Sequence, residues 1–166
     1  FAGLELKNPI IVGSSGLTDS VEKIKDIANQ GAGAVILKSL FEEQISYEAY
    51  NTINSNETNE YPEAADYIKG YTKNNTVNDY LNLIKEAKKA VDIPVIASIN
   101  CITVSDWVEF AQSVEKAGAD ALEVNVFILP TDRNKNSKEY ELRYHELYEK
   151  LKKQARIPII FKIPKV

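Results

Sequence analysis

Methionine is absent from this chain, and cysteine, histidine and tryptophan occur once each. A single cysteine excludes an internal disulfide and a cysteine-rich metal site, so we expect no metal centre. No apolar run approaches the roughly 20 residues that a membrane-spanning helix needs. No secretory signal peptide is visible either. These absences predict a cytoplasmic protein that works without a membrane.

The charge balance argues against a nucleic-acid partner. The formal net charge of the 166 residues is −4, and basic residues are interleaved with acidic ones. A nucleic-acid-binding surface normally concentrates positive charge on one face. Hydrophobic residues make up 44% of the chain and charged residues 27%, which is ordinary for a globular domain. A small-molecule ligand is therefore the expected partner.

Five short apolar runs are each followed by polar residues. The runs and their polar ends are Pro9–Val12 before Gly13–Gly16, Ala34–Leu37 before Lys38 and Ser39, Pro94–Ile99 before Asn100, Ala121–Val124 before Asn125, and Pro158–Phe161 before Lys162. Strands joined through helices are parallel, and their carboxyl ends share one face. Ligands bind at that face in such folds. The pattern predicts a site for an anionic, hydrogen-bonding small molecule.

Helical spacing and capping residues predict four helices between the runs, in the order β-α-β-α-β-α-β-α-β. The expected helices begin after Thr18–Ser20, near Thr76, after Thr103–Asp106 and near Ser137. Weak internal repeats support a repeated unit. Ala32–Val35 resembles Ala117–Ala121, and Ile93–Ile96 resembles Ile157–Ile160.

Two architectures fit this order of elements. A doubly wound five-stranded sheet suits the length, whereas a (β/α)8 barrel needs roughly 250 residues, so the chain would hold its first five strands. Polar residues at nearly every strand end favour the barrel, because an open sheet uses mainly its switch point. We expect one partial (β/α)8 TIM barrel domain over residues 1–166, with a long polar insertion at about 41–75. Unpaired edge strands would favour a homo-oligomer or a larger fold that supplies the rest of the barrel.

The runs resemble, in order and over the whole chain, the dihydroorotate dehydrogenase family. The resemblance is carried by Asn8–Gly16, Ile36–Ser39, Glu123–Asn125 and Phe161–Pro164. It implies an FMN-binding (β/α)8 barrel that oxidises dihydroorotate to orotate. The expected activity is therefore an FMN-dependent oxidoreductase of pyrimidine biosynthesis that acts on a CH–CH group of a small acidic cyclic substrate.

The resemblance also implies a role for each matched position. The cofactor-binding residues would be Ser14, Ser15, Gly16, Lys38, Ser39, Asn100, Asn125 and Lys162. Lys38 would also reach the substrate, and Asn125 would hydrogen-bond flavin or substrate. Lys162 would lie near the N1–C2=O edge of the flavin, where a cation stabilises the anionic reduced ring.

Two segments depart from the family pattern. The family's base is a Cys or Ser just beyond the asparagine after strand 4, but Phe127 and Ile128 stand there in this chain. Asp132 is the nearest ionisable replacement, so the catalytic candidates are Lys38, Asn125 and Asp132. The family's substrate loop after strand 2 is replaced by Tyr61–Tyr71. A relative that binds an anion or flavin without turning over dihydroorotate therefore remains an alternative.

Each candidate also has a purely structural interpretation. Glu123 precedes Asn125 by two, so both side chains should share a strand face, and Glu123 could pair with Lys38 or Lys162. Asn125 could simply end a strand, since asparagine is common in turns. Gly13–Gly16 could be a plain turn that leads to the next helix.

Overall fold

A computed structural model describes residues 1–41, 62–100, 104–128, 131–134 and 136–163. Most of the insertion expected at about 41–75 lies outside these residues, as does Tyr61. The part that is described, from Pro62 onward, is helical and continuous with the helix expected from Thr76. The sequence therefore placed the start of this helix too late. Proline is tolerated at the first helical position because a backbone N–H there would have no partner within the helix, so its absence costs nothing.

Strands and helices alternate along the described residues. In chain order they are β1 Ile11–Val12, α1 Val21–Asn29, β2 Ala34–Ile36, β3 Leu40–Phe41, α2 Pro62–Ala90, β4 Val95–Asn100, α3 Val104–Ala117, β5 Ala121–Asn125, α4 Ser137–Gln154 and β6 Ile159–Lys162. The strands form one sheet in the order β1-β2-β4-β5-β6, with β3 also paired to β4, and every pair is parallel. This half-barrel with intervening helices confirms the partial TIM barrel.

A bulge separates β2 from β3, a short sixth strand that the five apolar runs did not predict. Ile36 pairs with Ile96 before the bulge, and Leu40 pairs with Ile99 after it. The three residues 37–39 therefore stand opposite the two residues 97 and 98, so one strand carries an extra residue. The bulge includes Lys38 and Ser39, the polar residues that the sequence singled out.

The two faces of the sheet pack against different partners. Alternate strand residues, among them Val35, Ala97 and Val124, form one large buried cluster with helix residues such as Ile84 and Leu151. The intervening residues face the barrel interior. Their apolar members form a separate small cluster of Ala34, Ile96 and Ala121, with Leu4, Leu6, Ile11, Ile36 and Ile160 packed against it. Polar residues therefore occupy the interior closer to the carboxyl ends of the strands.

Two helices end in the same glycine motif. Gly31 and Gly118 have φ of 93° and 96°, which suits glycine because it has no Cβ. In each motif the next residue donates its N–H to a carbonyl five residues back, Ala32 to Ile27 and Ala119 to Val114. The predicted repeat is thus present, but Gly118 is equivalent to Gly31 and not to Gly33.

Within the described part of the chain, no helix combines the length and the apolar character that crossing a membrane requires.

Candidate functional site

The carboxyl ends of the strands form one face of the half-barrel, which we call the mouth. Asn100, Asn125 and Lys162 end the adjacent strands β4, β5 and β6. Asn125 pairs in register with Lys162, and the Val126 N–H donates to the Lys162 carbonyl at 3.1 Å. The alternation along each strand directs all three side chains inward. The fold therefore brings two amides and one ammonium group together at the mouth.

Ser14 and Ser39, from the turn after β1 and from the bulge, contact each other. The Ser39 N–H donates to Ser14 Oγ at 2.8 Å, and the two hydroxyl oxygens are 2.9 Å apart. Ser39 Oγ also lies 2.7 Å from Ser98 Oγ of β4. The turn after β1, the bulge and β4 are thus joined at the mouth through serine hydroxyls.

Ser98 is a residue that sequence reasoning missed. Its hydroxyl donates to Glu123 Oε1 at 2.8 Å, and both side chains are buried. A signal was available, because Ser98 precedes Asn100 by two, as Glu123 precedes Asn125, and such residues share a strand face. Serine and glutamate therefore form a buried polar layer directly beneath the two asparagines.

Glu123 is not the ionic partner of the lysines. The ion pairs within the described residues join Lys23 to Asp19, Lys88 to Asp120 and Lys89 to Glu86. The Ser98 hydroxyl is hydrogen-bonded to the carboxylate instead. The structural interpretation of Lys38 and Lys162 as counter-ions of Glu123 is therefore wrong for the described part of the structure.

Lys38 is exposed and lines a cavity of about 290 Å³ between the bulge and α2. The cavity is bounded by charged residues, Asp19 and Asp79 among them, and by apolar ones such as Leu83. The hydrogen bond from Lys23 lowers the pKa of the Asp19 carboxyl, and the positive charge of Lys38 contributes to the same shift. Lys38 therefore presents its charge to a partly apolar cavity beside the mouth.

Tyr80 of α2 fills the gap that the bulge leaves in the sheet. Its hydroxyl donates to the Ser98 carbonyl at 2.9 Å and accepts the Ser98 N–H at 2.8 Å. In an unbroken ladder these backbone groups would pair with the neighbouring strand. Burial raises the pKa of Tyr80, so the phenol stays protonated and keeps its donor.

The turn after β1 has a local hydrogen-bond network. The Ser15 N–H donates to Thr18 Oγ1 at 3.2 Å, and Thr18 Oγ1 donates to the Ser15 carbonyl at 3.1 Å. Lys23 Nζ donates to the Gly16 carbonyl at 2.8 Å. The plain-turn interpretation therefore accounts for these contacts. A Cβ built at Gly13 or Gly16 would meet no atom within 4 Å, which leaves this backbone open to a ligand.

Asp132 lies in an exposed turn beyond β5. Its Oδ1 accepts the Asn134 N–H at 3.0 Å, and its own N–H donates to the Tyr140 hydroxyl at 3.2 Å. An Asx turn of this kind accounts for the placement of the side chain. The role of Asp132 as a catalytic group stays a prediction.

The donors and acceptors around the mouth suit an organic ligand. Within the described ranges, no cluster of three or more His, Cys, Asp or Glu side chains could hold a metal ion. Amides, hydroxyls and ammonium groups are instead the groups that recognise carbonyls and carboxylates.

Solved structures with the same fold include enzymes of different names. A dihydrodipicolinate synthase from Acinetobacter baumannii matches with a TM-score of 0.54 at 15% identity, covering 95% of this chain and 45% of that one. A variant of NCR from Zymomonas mobilis matches with a TM-score of 0.59 at 14% identity, covering 98% and 56%. Identities this low establish the barrel fold alone.

Curated relatives and a family model supply the closer comparison. The catalytic subunit of dihydroorotate dehydrogenase B (NAD(+)) from Thermoplasma acidophilum is 29% identical over 126 residues, which are 75% of this chain and 39% of that protein. The subunit of the same name from Methanocaldococcus jannaschii is 26% identical over 132 residues, with the same coverage. The chain thus spans well under half the length of these relatives. The family model described as dihydroorotate dehydrogenase matches residues 1–165, so the chain belongs to the dihydroorotate dehydrogenase family.

Proposed function

We propose that the whole protein is an FMN-dependent oxidoreductase of the dihydroorotate dehydrogenase type that acts on a small, acidic, cyclic substrate. One observation carries the proposal: Asn125 and Lys162 lie side by side in register at the mouth, on adjacent inward-facing strand ends. An amide next to an ammonium group matches the carbonyls and ring nitrogens of a flavin or pyrimidine edge. Family membership supports the same reaction class.

The residues present fit a flavin. The open backbone at Gly13 and Gly16 admits a flat ring, since no atom would obstruct even a Cβ there. Ser14, Ser15 and Ser39 would line the ring together with Lys38, while Asn100, Asn125 and Lys162 would hydrogen-bond its polar edge. When bound, FMN supplies the hydride acceptor. The Lys162 charge would stabilise negative charge on the flavin.

This chain's residues would also hold the substrate. Lys38 would bind an acidic substrate through its ammonium group, and Asn125 would orient the substrate by hydrogen bonding. Asp132 would be the carboxylate that takes up a proton, although its Asx turn engages one of its oxygens. Lys38, Asn125 and Asp132 are therefore the proposed catalytic residues.

A second candidate function is a barrel that binds an anion or flavin without turning over dihydroorotate. Phe127 is 64% exposed where the family pattern has its Cys or Ser base. A benzyl group cannot accept a proton, and a missing base typically slows proton transfer by 10²–10⁴-fold. This candidate predicts ligand binding without bleaching of the flavin by dihydroorotate.

An FMN titration of the full-length protein tests the proposed function. We expect bound flavin in the visible spectrum and quenched flavin fluorescence. Lys162→Gln should weaken FMN binding by roughly 10- to 100-fold, because a hydrogen bond to a charged group contributes about 1.5–3 kcal/mol. Lys150→Gln, on the exposed surface of α4, is the matched control and should bind FMN as the parent does.

The two candidate functions give different results in the same assay. A colourless protein that leaves FMN fluorescence unchanged would reject the flavin proposal. A rise in melting temperature with orotate or phosphate in that protein would instead support the anion-binding candidate.

A further inference from the structure

We propose that Ser14, Ser39, Ser98 and Glu123 form a proton relay. In this relay Ser14 takes a proton from a carbon acid bound at the mouth, and Glu123 is the final acceptor. The inference deepens the proposed function, because it names the group that replaces the missing Cys or Ser base.

The carboxylate sets the direction of every hydrogen bond in the relay. An ionised carboxylate accepts and cannot donate, so Ser98 donates to Glu123 Oε1 over 2.8 Å. The single Ser98 proton is then used, and Ser39 must donate to Ser98 over 2.7 Å. By the same reasoning Ser14 donates to Ser39 over 2.9 Å. All three hydroxyl protons therefore point from the mouth toward Glu123.

Burial changes along the relay in the way that proton transfer requires. Ser14 is half-buried, whereas Ser39, Ser98 and Glu123 are 8%, 0% and 6% exposed. The outer end is thus reachable by a substrate, and bulk water is kept from the inner links. Ser14 Oγ accepts the Ser39 N–H with one lone pair. Its second lone pair is available to receive a proton.

The proton transfer balances without any further reactant. A C–H bond of the substrate breaks, its proton binds Ser14 Oγ, and the electron pair stays on the substrate carbon. The original Ser14 proton passes to Ser39, that of Ser39 to Ser98, and that of Ser98 to Glu123. Each hydroxyl gains and loses one proton, and Glu123 becomes a neutral carboxylic acid.

The relay has a better defined position for accepting a proton than the exposed alternative has. Asp132 lies in a solvent-exposed Asx turn, where water competes for its lone pairs. Glu123 is reached only through ordered hydroxyls among the described contacts, so its position relative to the mouth is defined. A defined position is what general-base catalysis depends on.

A purely structural role makes a different prediction from the relay. The same hydrogen bonds join the turn after β1, the bulge, β4 and β5. If they serve only to hold these segments together, breaking them lowers stability but leaves the reactivity of the Ser14 hydroxyl equal to that of an ordinary serine.

Covalent labelling of the full-length protein with phenylmethylsulfonyl fluoride distinguishes these roles. Ser14 Oγ attacks the sulfonyl sulfur, the S–F bond breaks and fluoride leaves, while the Ser14 proton passes along the relay to Glu123. We expect Ser14 to be labelled about tenfold or more faster than Ser15, its more exposed neighbour outside the relay. Tandem mass spectrometry of the peptide that contains both serines measures the two rates.

Variants of the inner links assign the reactivity to the relay. Glu123→Gln and Ser98→Ala should each lower the Ser14 rate to that of Ser15, and Ser98→Thr should restore it because the hydroxyl is kept. Glu149→Gln, an exposed acid on α4, is the matched control and should not change the rate. If Glu123→Gln does not fold by circular dichroism, Ser98→Ala and its threonine counterpart decide the question.

Two outcomes would overturn the relay. One is a Ser14 rate equal to that of Ser15 in the parent protein, and the other is a fast Ser14 rate that survives both Glu123→Gln and Ser98→Ala. The flavin titration is independent of this readout. A Glu123-dependent Ser14 rate in a protein that binds no FMN would therefore support the relay and reject the proposed oxidoreductase.

Discussion

At the scale of single residues, Tyr80 repairs a break in the sheet. The bulge at residues 37–39 removes the strand partner of the Ser98 backbone, and the Tyr80 hydroxyl replaces it as both donor and acceptor. An unpaired buried polar group costs about 1–3 kcal/mol. Tyr80→Phe should therefore lower the free energy of unfolding by at least that amount, measured by urea denaturation of the full-length protein.

Tyr148→Phe is the control for this substitution. Tyr148 keeps its edge contact with Phe161 through the ring, so loss of its hydroxyl should change stability far less. Equal stability of Tyr80→Phe and Tyr148→Phe would contradict the role of Tyr80 in the bulge.

The protonation of Tyr80 also predicts a pH dependence. Burial raises its pKa above the ordinary value of 10.0, so the folded protein holds the phenolic proton more tightly than the unfolded chain does. The resulting stabilisation is fully present below pH 10 and is lost as the pH rises above it. Denaturation at a series of alkaline pH values should show this loss in the parent protein, and Tyr80→Phe should lack this contribution.

At the scale of elements, Gly33 fixes the approach of the N-terminal segment to β2. The Gly33 N–H donates to the Ile10 carbonyl at 2.8 Å, and a Cβ at this position would lie 2.3 Å from the Asn8 carbonyl oxygen. The Asn8 backbone cannot move away from an added Cβ as easily as the end of a flexible side chain could. Gly33→Ala should cost about 1–3 kcal/mol, as overpacking does, and lower the melting temperature. Gly13→Ala, with open space around its Cβ, should melt close to the parent.

At the scale of the whole molecule, the half-barrel has exposed edges. Within the described residues β1 pairs with β2 alone and β6 with β5 alone. Phe127, which follows β5, and Ile163, which follows β6, are 64% and 56% exposed. Unpaired parallel strands beside apolar surface associate with other chains. The 166-residue chain expressed alone should therefore self-associate with rising concentration in sedimentation velocity, whereas a clean monomer that unfolds cooperatively would contradict this.

Local sequence patterns suffice to predict five of the six parallel strands among the described residues and most helix positions. The local period of apolar residues and the caps encode these features, as in α1, whose cap Ser20 accepts the Lys23 N–H. The register pair Asn125 and Lys162 was also foreseeable, because each residue ends an apolar run.

The bulge and the contacts that depend on it follow from the packing of segments that are distant in the chain. Ser14 and Ser39 are 25 residues apart, and Ser39 and Ser98 are 59 apart. A one-residue change of register between β2 and β4 would redirect Ser39 to the other face of the sheet. No local pattern encodes such a register, because it results from packing segments that are distant in the chain. For the same reason, no local pattern around Tyr80 indicates that its hydroxyl completes the sheet.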